Sequence, residues 1–120
     1  MTKPLVSIIT PCYNGEAFLK RYFESILNQT YPNLELIFIN DGSTDRTEEI
    51  ALSYRERLEK RGITYIYEKQ ENAGQAAALN RGLKLFTGEY LTWPDSDDEM
   101  VSDAVEKKVD YLEQHPDYGF

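Results

Sequence analysis

Cysteine occurs once, at Cys12, so the chain has no internal disulfide and no cysteine-based metal site. Histidine is as scarce: His115 stands alone near a helix end, where a structural role is the simpler reading. Positive charge is in short supply, with 13 Lys plus Arg against 21 Asp plus Glu and a net charge of -8. Phosphate backbones are bound by basic surfaces, so general nucleic-acid binding is excluded, and an anionic ligand would need a cation between itself and the protein. The loop PCYNGE after the first apolar run lacks the three-glycine fingerprint of dinucleotide folds, and no GK[ST] phosphate loop occurs anywhere. No long hydrophobic run is present either. The opening MTKPLVSIITPCYNGE is broken by Pro11 and is too short for a signal peptide or membrane span, so the compartment reads as cytoplasmic.

What is there is an ordinary globular composition: 120 residues, 41% hydrophobic and 12% aromatic, enough for one domain with a real core. Leu5 to Thr10 is a β-branched apolar run that predicts a strand covered on both faces and closed by Pro11. Phe18, Tyr22, Phe23, Ile26 and Leu27 then recur at helical spacing over Ala17 to Gln29, with Asn14 as a cap. Asn28-Gln29-Thr30 in this segment matches a glycosylation sequon, which its helical setting makes coincidental. Leu34 to Ile39 predicts a second strand ending in the turn residues Asn40-Asp41-Gly42. Ile50, Tyr54 and Leu58 predict one helix, capped by Ser43 or Thr44 and ended by Gly62. Ile63 to Tyr67 is a third strand. The segment from Gly74 to Phe86 is a helix with Ala78, Leu79, Leu83 and Phe86 on its apolar stripe, and Glu89 to Trp93 is a fourth strand. Val101, Val105, Val109 and Leu112 mark a last helix that stops at His115-Pro116. Strict alternation of this kind implies an α/β fold: a mainly parallel sheet with helices on both faces and ligands beyond the carboxyl ends of the strands.

The polar clusters of the sequence fall at those ends. Asp95, Asp97 and Asp98 repel one another unless a cation neutralises them, and hard oxygen ligands of this kind suit Mg²⁺ or Mn²⁺, which commonly bridge to phosphate. A competing reading has Asp98 or Ser96 capping the next helix, which accounts for one acid and not for three. Tyr13 offers a ring face on which a nucleobase can stack, or else packs on the sheet rim. Asp41 is either a turn residue or an acceptor for a ribose hydroxyl or base N–H. Glu16 complements a helix dipole, Asn72 and Gly74 open a helix whose free N–H groups can hold an anion, and Cys12 reads as a small buried residue.

Together the runs VSIITPCYNGEAFLKRYFESILNQTYPNLELIFINDGSTDRT, ENAGQAAALNRGL and GEYLTWPDSDD resemble a family 2 glycosyltransferase over nearly the whole chain. The resemblance implies a Rossmann-like GT-A three-layer α/β/α sandwich, its mainly parallel sheet ordered 3-2-1-4. It also implies binding of a nucleotide-diphospho-sugar, typically a UDP-sugar, and inverting transfer to the hydroxyl of a saccharide or lipid-linked acceptor. Carried onto this sequence, Pro11, Tyr13 and Glu16 would line the base and ribose pocket, Asp41 would meet the uracil or its ribose, and Asn72 and Gly74 would approach from the third strand. Asp95 and Asp97 would be the D-x-D motif, with Asp97 on the Mn²⁺ or Mg²⁺, Asp95 nearer the ribose, Ser96 between them in the donor site and Asp98 an alternative ligand.

Members of that family continue into a further strand and a segment bearing the acidic general base. The resemblance therefore puts the base beyond Phe120 and no catalytic residue within residues 1–120. The expectation is a single donor-binding domain over residues 1–120, a piece of a longer glycosyltransferase that ends before the acceptor half. Two other readings stand beside it. One is a nucleotide-binding fragment without catalysis. The other is a receiver-type signalling domain, which needs an acidic pair after the first strand, where this chain has PCYNGE.

Overall fold

A computed structural model describes residues 3–93 and 102–114. The run VSIITPC forms β1 (Val6–Cys12) and LELIFIND forms β2 (Leu34–Asp41), buried along its whole length. β3 (Thr64–Gln70) and β4 (Tyr90–Thr92) complete a four-stranded sheet, ordered β3-β2-β1-β4 with every pairing parallel. The 3-2-1-4 order implied by the resemblance is the one observed.

A strand with apolar residues at both parities needs cover on both faces, and each parity finds it. Ile8, Leu36 and Phe38 face one core with α1 (Glu16–Leu27), α2 (Thr47–Ser53), α3 (Arg55–Lys60) and α5 (Ala104–Gln114), which contribute Phe23, Ala51, Leu58 and Val105. Ile9, Ile37 and Ile39 face the other, against Ala78 of α4 (Gln75–Leu83). Each such side chain contributes about 1.5–3 kcal/mol by leaving water. The larger core is organised around Phe23, whose ring stacks on Tyr54 at 4.8 Å and on Phe38 at 5.6 Å. α4 lies close on β1: a Cβ at Gly82 would stand 2.4 Å from Ile9 Cγ2.

Several expectations are corrected by these elements. β1 runs on through Pro11 to Cys12, because β4 pairs only with Val6 to Ile8, and a residue without an N–H is accepted where one flank of the strand has no ladder. The single helix expected up to Gly62 is two, α2 and α3, meeting at Tyr54. There the Ser53 hydroxyl donates to the Ile50 carbonyl at 2.6 Å and takes that acceptor from the helical ladder. Phe18 is 46% exposed, and Leu19 is the residue of that turn that enters the core; Leu83, expected on the α4 stripe, is exposed, and Phe86 lies past the end of α4 (Gln75–Leu83). Of the stripe on the last helix, Val105, Val109 and Leu112 are buried, while Val101 lies outside the described residues, as does His115.

β3 also continues past Tyr67 to Gln70, since Glu68, Lys69 and Gln70 pair with Ile39, Asn40 and Asp41; as an end strand of the sheet it accepts polar residues. At the amino edge, Glu35 is 3% exposed and no cation pairs with it among the described residues. Its carboxylate instead accepts from Ser7 Oγ at 2.7 Å, Thr87 N at 2.9 Å and Thr87 Oγ1 at 2.9 Å, which ties the segment before β4 to the centre of the sheet.

Candidate functional site

The chain moves outward from β1 through β2 to β3 and then crosses back to lay β4 on the other side of β1. Strand order therefore reverses between β1 and β4, the position at which open α/β sheets leave a ligand crevice at their carboxyl edge. Pro11 is half-buried near the end of β1 at that edge, and Tyr13, just beyond, is 52% exposed.

After Tyr13 the backbone turns sharply, with Asn14 at φ +52°, a left-handed conformation that asparagine accepts more readily than most residues. Three consecutive N–H groups then point at the segment that leads from β2 into the first residue of α2. Asn14 N donates to Ser43 Oγ at 2.9 Å, Gly15 N to Thr47 Oγ1 at 2.9 Å and Glu16 N to Asp45 Oδ2 at 3.1 Å. Bonds also run back: Thr44 N donates to Asn14 Oδ1 at 2.8 Å and Arg46 N to Glu16 Oε1 at 3.2 Å. Asp45 is the centre of this clasp, since its Oδ1 also accepts from Thr47 N at 2.9 Å and Thr47 Oγ1 at 2.5 Å. Burial pushes the Asp45 carboxyl upward, but the bonds from Thr47 and Glu16 outweigh it and hold the group below the usual carboxylate range.

The expected caps are thereby reassigned. Asn14 does not cap α1, whose cap residue is Gly15 with no side-chain bond, because the Asn14 amide is turned to Thr44. Neither Ser43 nor Thr44 caps α2; the acceptor at that helix start is Asp45. A signal was present in the sequence, as Asp45-Arg46-Thr47 is an acid two residues before a hydroxyl at a helix start, a common side-chain turn.

Asp41 forms the second cluster. It is 3% exposed, and its Oδ1 accepts from Gln70 Nε2 and Ala73 N, each at 2.9 Å, while Oδ2 accepts from Gly74 N at 3.0 Å. Asn72 Nδ2 donates to the Asp41 carbonyl at 3.2 Å. Burial raises the Asp41 pKa, but the bonds from Gln70, Ala73 and Gly74 prevail and lower it. The N–H groups that open α4 are thus partly filled by the protein's own carboxylate. A carboxylate offers about four acceptor positions, and a fourth donor, Asn72 Nδ2, stands 3.5 Å from Oδ2, so the acceptor positions of Asp41 are met within the protein. The turn that permits this needs a glycine: Gly42 has φ +70°, and a Cβ there would stand 2.5 Å from Asn72 N. Beside it opens a cleft of about 470 Å³ lined by Gly42, Ser43, Lys69, Gln70, Glu71 and Asn72. Gln70 is a site neighbour that the sequence did not single out.

Pro11, Tyr13, Glu16, Asp41, Asn72 and Gly74 therefore all lie at one sheet edge, Glu16 in the Asp45 cluster and Asn72 and Gly74 in the Asp41 cluster. Asp95, Ser96, Asp97 and Asp98 lie outside the described residues. So does Phe120, the residue beyond which the general base is expected, and the placement of that base is untouched by the structure. β4 runs parallel to β1 and its last residue, Thr92, pairs with Ile8, the third residue of β1, so β4 ends short of the carboxyl edge that Cys12 and Asp41 reach. Among the described residues no group of three or more His, Cys, Asp or Glu side chains is placed to hold a metal ion. No helix among them is long and apolar enough to cross a membrane.

The family model described as Glycosyl transferase family 2 matches residues 7–120. This chain belongs to glycosyl transferase family 2. An uncharacterized glycosyltransferase of Rickettsia typhi is 45% identical over 109 residues, covering 91% of this family 2 chain and 32% of the relative. One from Haemophilus influenzae is 41% identical over 126 residues, covering 100% of the chain and 49% of the relative. The chain thus spans between a third and a half of the length of these relatives. Among solved structures, residues 1–349 of S. aureus TarS in complex with UDP superpose with a TM-score of 0.84 at 26% identity, over 93% of this chain and 33% of that one. The mannosyltransferase PcManGT from Pyrobaculum calidifontis, in complex with GDP-Man and Mn²⁺, superposes with a TM-score of 0.71 at 31% identity, over 81% of this chain and 28% of that one. The fold of this family 2 chain is that of the GT-A glycosyltransferases, of which it covers the N-terminal part.

Proposed function

We propose that this chain is the donor-binding part of a glycosyltransferase, holding a nucleotide-diphospho-sugar, with UDP as the preferred nucleotide, through a divalent cation. The observation that carries the metal dependence is the occupied start of α1. In dinucleotide folds a pyrophosphate rests on the free N–H groups at the first helix, but here Gly15 N and Glu16 N are taken by Thr47 and Asp45, and the Asp45 carboxylate stands where an anion would go. A diphosphate brought to this edge needs its charge met by something else, and a chain of net charge -8 has few cations to offer. The acidic run after β4 fits that need. Carboxylates are the donor set that Mg²⁺ and Mn²⁺ prefer, and in sequence the run follows a parallel strand directed toward this edge. Asp97 and Asp95 would hold the ion, with Asp98 as the alternative ligand. Bound there, such an ion supplies Lewis-acid stabilisation of the departing nucleotide.

In this reading Tyr13 stacks on the base and Asp41 accepts from the base or ribose in place of its longest contact, the one from Asn72 Nδ2 at 3.5 Å. Pro11, Glu16, Asn72 and Gly74 shape the pocket around them, with Ser96 beside the sugar nucleotide. The acceptor hydroxyl, of a saccharide or lipid-linked acceptor, attacks the anomeric carbon as the bond to the nucleotide phosphate breaks, with inversion. The group that takes the acceptor proton is assigned to sequence beyond Phe120. Purified alone, these 120 residues are expected to bind donor and not to transfer sugar at a substantial rate; robust transfer to an added acceptor contradicts that assignment. Titration calorimetry with UDP, UDP-GlcNAc and GDP-Man, with Mn²⁺ and then with EDTA, tests the proposal. Metal-dependent binding with UDP tightest is expected, and no metal-dependent binding of any of the three overturns it.

A further inference from the structure

Asp45 was not singled out by the sequence, yet it anchors the turn that follows Tyr13. It receives Glu16 N directly at 3.1 Å and Gly15 N through the Thr47 hydroxyl, which accepts at 2.9 Å and donates onward to Asp45 at 2.5 Å. Ser43, two residues earlier, takes Asn14 N. Three successive N–H groups of the segment that follows Tyr13 are therefore bound to side chains from a single stretch of five residues. Thr47 is fully buried, so the Gly15–Thr47 step of the relay is shielded from competing water, and hydrogen bonds to a charged acceptor are the stronger kind. Among the described residues, no side-chain hydrogen bond holds Tyr13. It is 52% exposed, and the left-handed Asn14 immediately after it is a conformation that persists only where the surroundings hold it.

We infer that Asp45 is a positioning residue for donor binding: through the Thr47 relay and the Glu16 N–H it fixes the 14–16 turn, and so holds the Tyr13 ring ready for a nucleobase without touching the nucleotide. An ordered aromatic costs a ligand less entropy than one that must be ordered on binding, which is the gain Asp45 supplies. The inference rests on the assignment of Tyr13 as the stacking residue.

The test is a double-mutant cycle on UDP affinity, measured by calorimetry on the full chain in Mn²⁺ with Tyr13→Ala, Asp45→Ala and the pair. Loss of a base-stacking ring is worth about tenfold or more in affinity. Asp45→Ala is expected to lose a comparable factor, and the pair to be no weaker than Tyr13→Ala alone, because Asp45 acts through a ring that is then absent. Factors that multiply in the pair overturn the inference, since a residue that merely keeps the protein folded has no reason to lose its effect when Tyr13 is removed. Should Asp45→Ala fail to fold, Asp45→Asn replaces it in the cycle; it keeps one oxygen acceptor and is expected to lose a smaller factor that again vanishes in the Tyr13→Ala background. If Tyr13→Ala leaves UDP affinity unchanged while metal-dependent binding persists, the stacking assignment fails and this inference falls with it, whereas the donor-binding proposal stands.

Discussion

At the scale of single residues, the acids of this chain divide by what their oxygens accept. Asp41 and Asp45 are each held by three or more donors and stay ionised in the folded protein below the carboxyl's ordinary 3.8. For a group whose folded pKa is depressed, the stabilisation is complete above the unfolded value and disappears as pH falls through it toward the folded one. Urea midpoints are therefore expected to be unaffected by these two groups from pH 7 to about 5 and to fall below about pH 4, with a shallower acid limb in Asp41→Asn/Asp45→Asn. Asp41→Ala removes the acceptor for Gln70, Ala73 and Gly74 at once. Because the loop at 73–74 is exposed and rehydrates, the expected cost is about 2 kcal/mol in chemical denaturation rather than the full sum of three bonds. Asp97→Asn is expected to behave oppositely, with stability retained and Mn²⁺-dependent UDP affinity lost in calorimetry; unchanged affinity would move the metal to Asp95 or Asp98.

At the scale of elements, the contact of α4 with β1 makes opposing demands on substitution. Gly82→Ala improves helix propensity by about 1 kcal/mol, yet its Cβ would meet a fully buried, β-branched Ile9 at 2.4 Å. Overpacking of that kind costs about 1–3 kcal/mol, so net destabilisation is expected, visible as a lower Tm. The positions of strands and helices were legible because they depend on apolar periodicity, which Ile8 and Ile9 or Leu36 and Ile37 display without reference to anything distant. The break at Tyr54 was not, because it turns on one hydroxyl, Ser53, choosing a local carbonyl. The caps were misplaced for a related reason. Asn14 and Ser43 have cap chemistry, but whether an amide or hydroxyl serves its own helix or the neighbouring loop is decided by the approach of segments about 30 positions apart, which no local pattern carries.

At the scale of the whole molecule, the candidate site was legible as a place before it was legible as a set of contacts. Alternation alone put Tyr13 and Asp41 at one sheet edge, and the observed strand order reverses beside β1, next to both. What alternation did not carry is that Asp41 and Asp45 are already occupied by backbone donors. The edge is therefore a preformed scaffold rather than a set of free carboxylates waiting for a ligand.

The parallel pairing also sets an order of assembly. β1 with β2, and β2 with β3, are each closed by one intervening helical crossover, whereas β1 with β4 joins Val6 to Tyr90 across most of the chain. Loop closure across that separation is paid late, so the β4 contacts and the Glu35–Thr87 tie are expected to form after the folding transition state. In stopped-flow chevrons Thr87→Ala should then accelerate unfolding and leave the refolding rate nearly unchanged, while Ile37→Val at the centre of the sheet should slow refolding. The acidic run follows β4 in sequence, so the donor site would be the last part of this domain to become competent, a property that pulse-labelled UDP binding during refolding would reveal as a lag behind core formation.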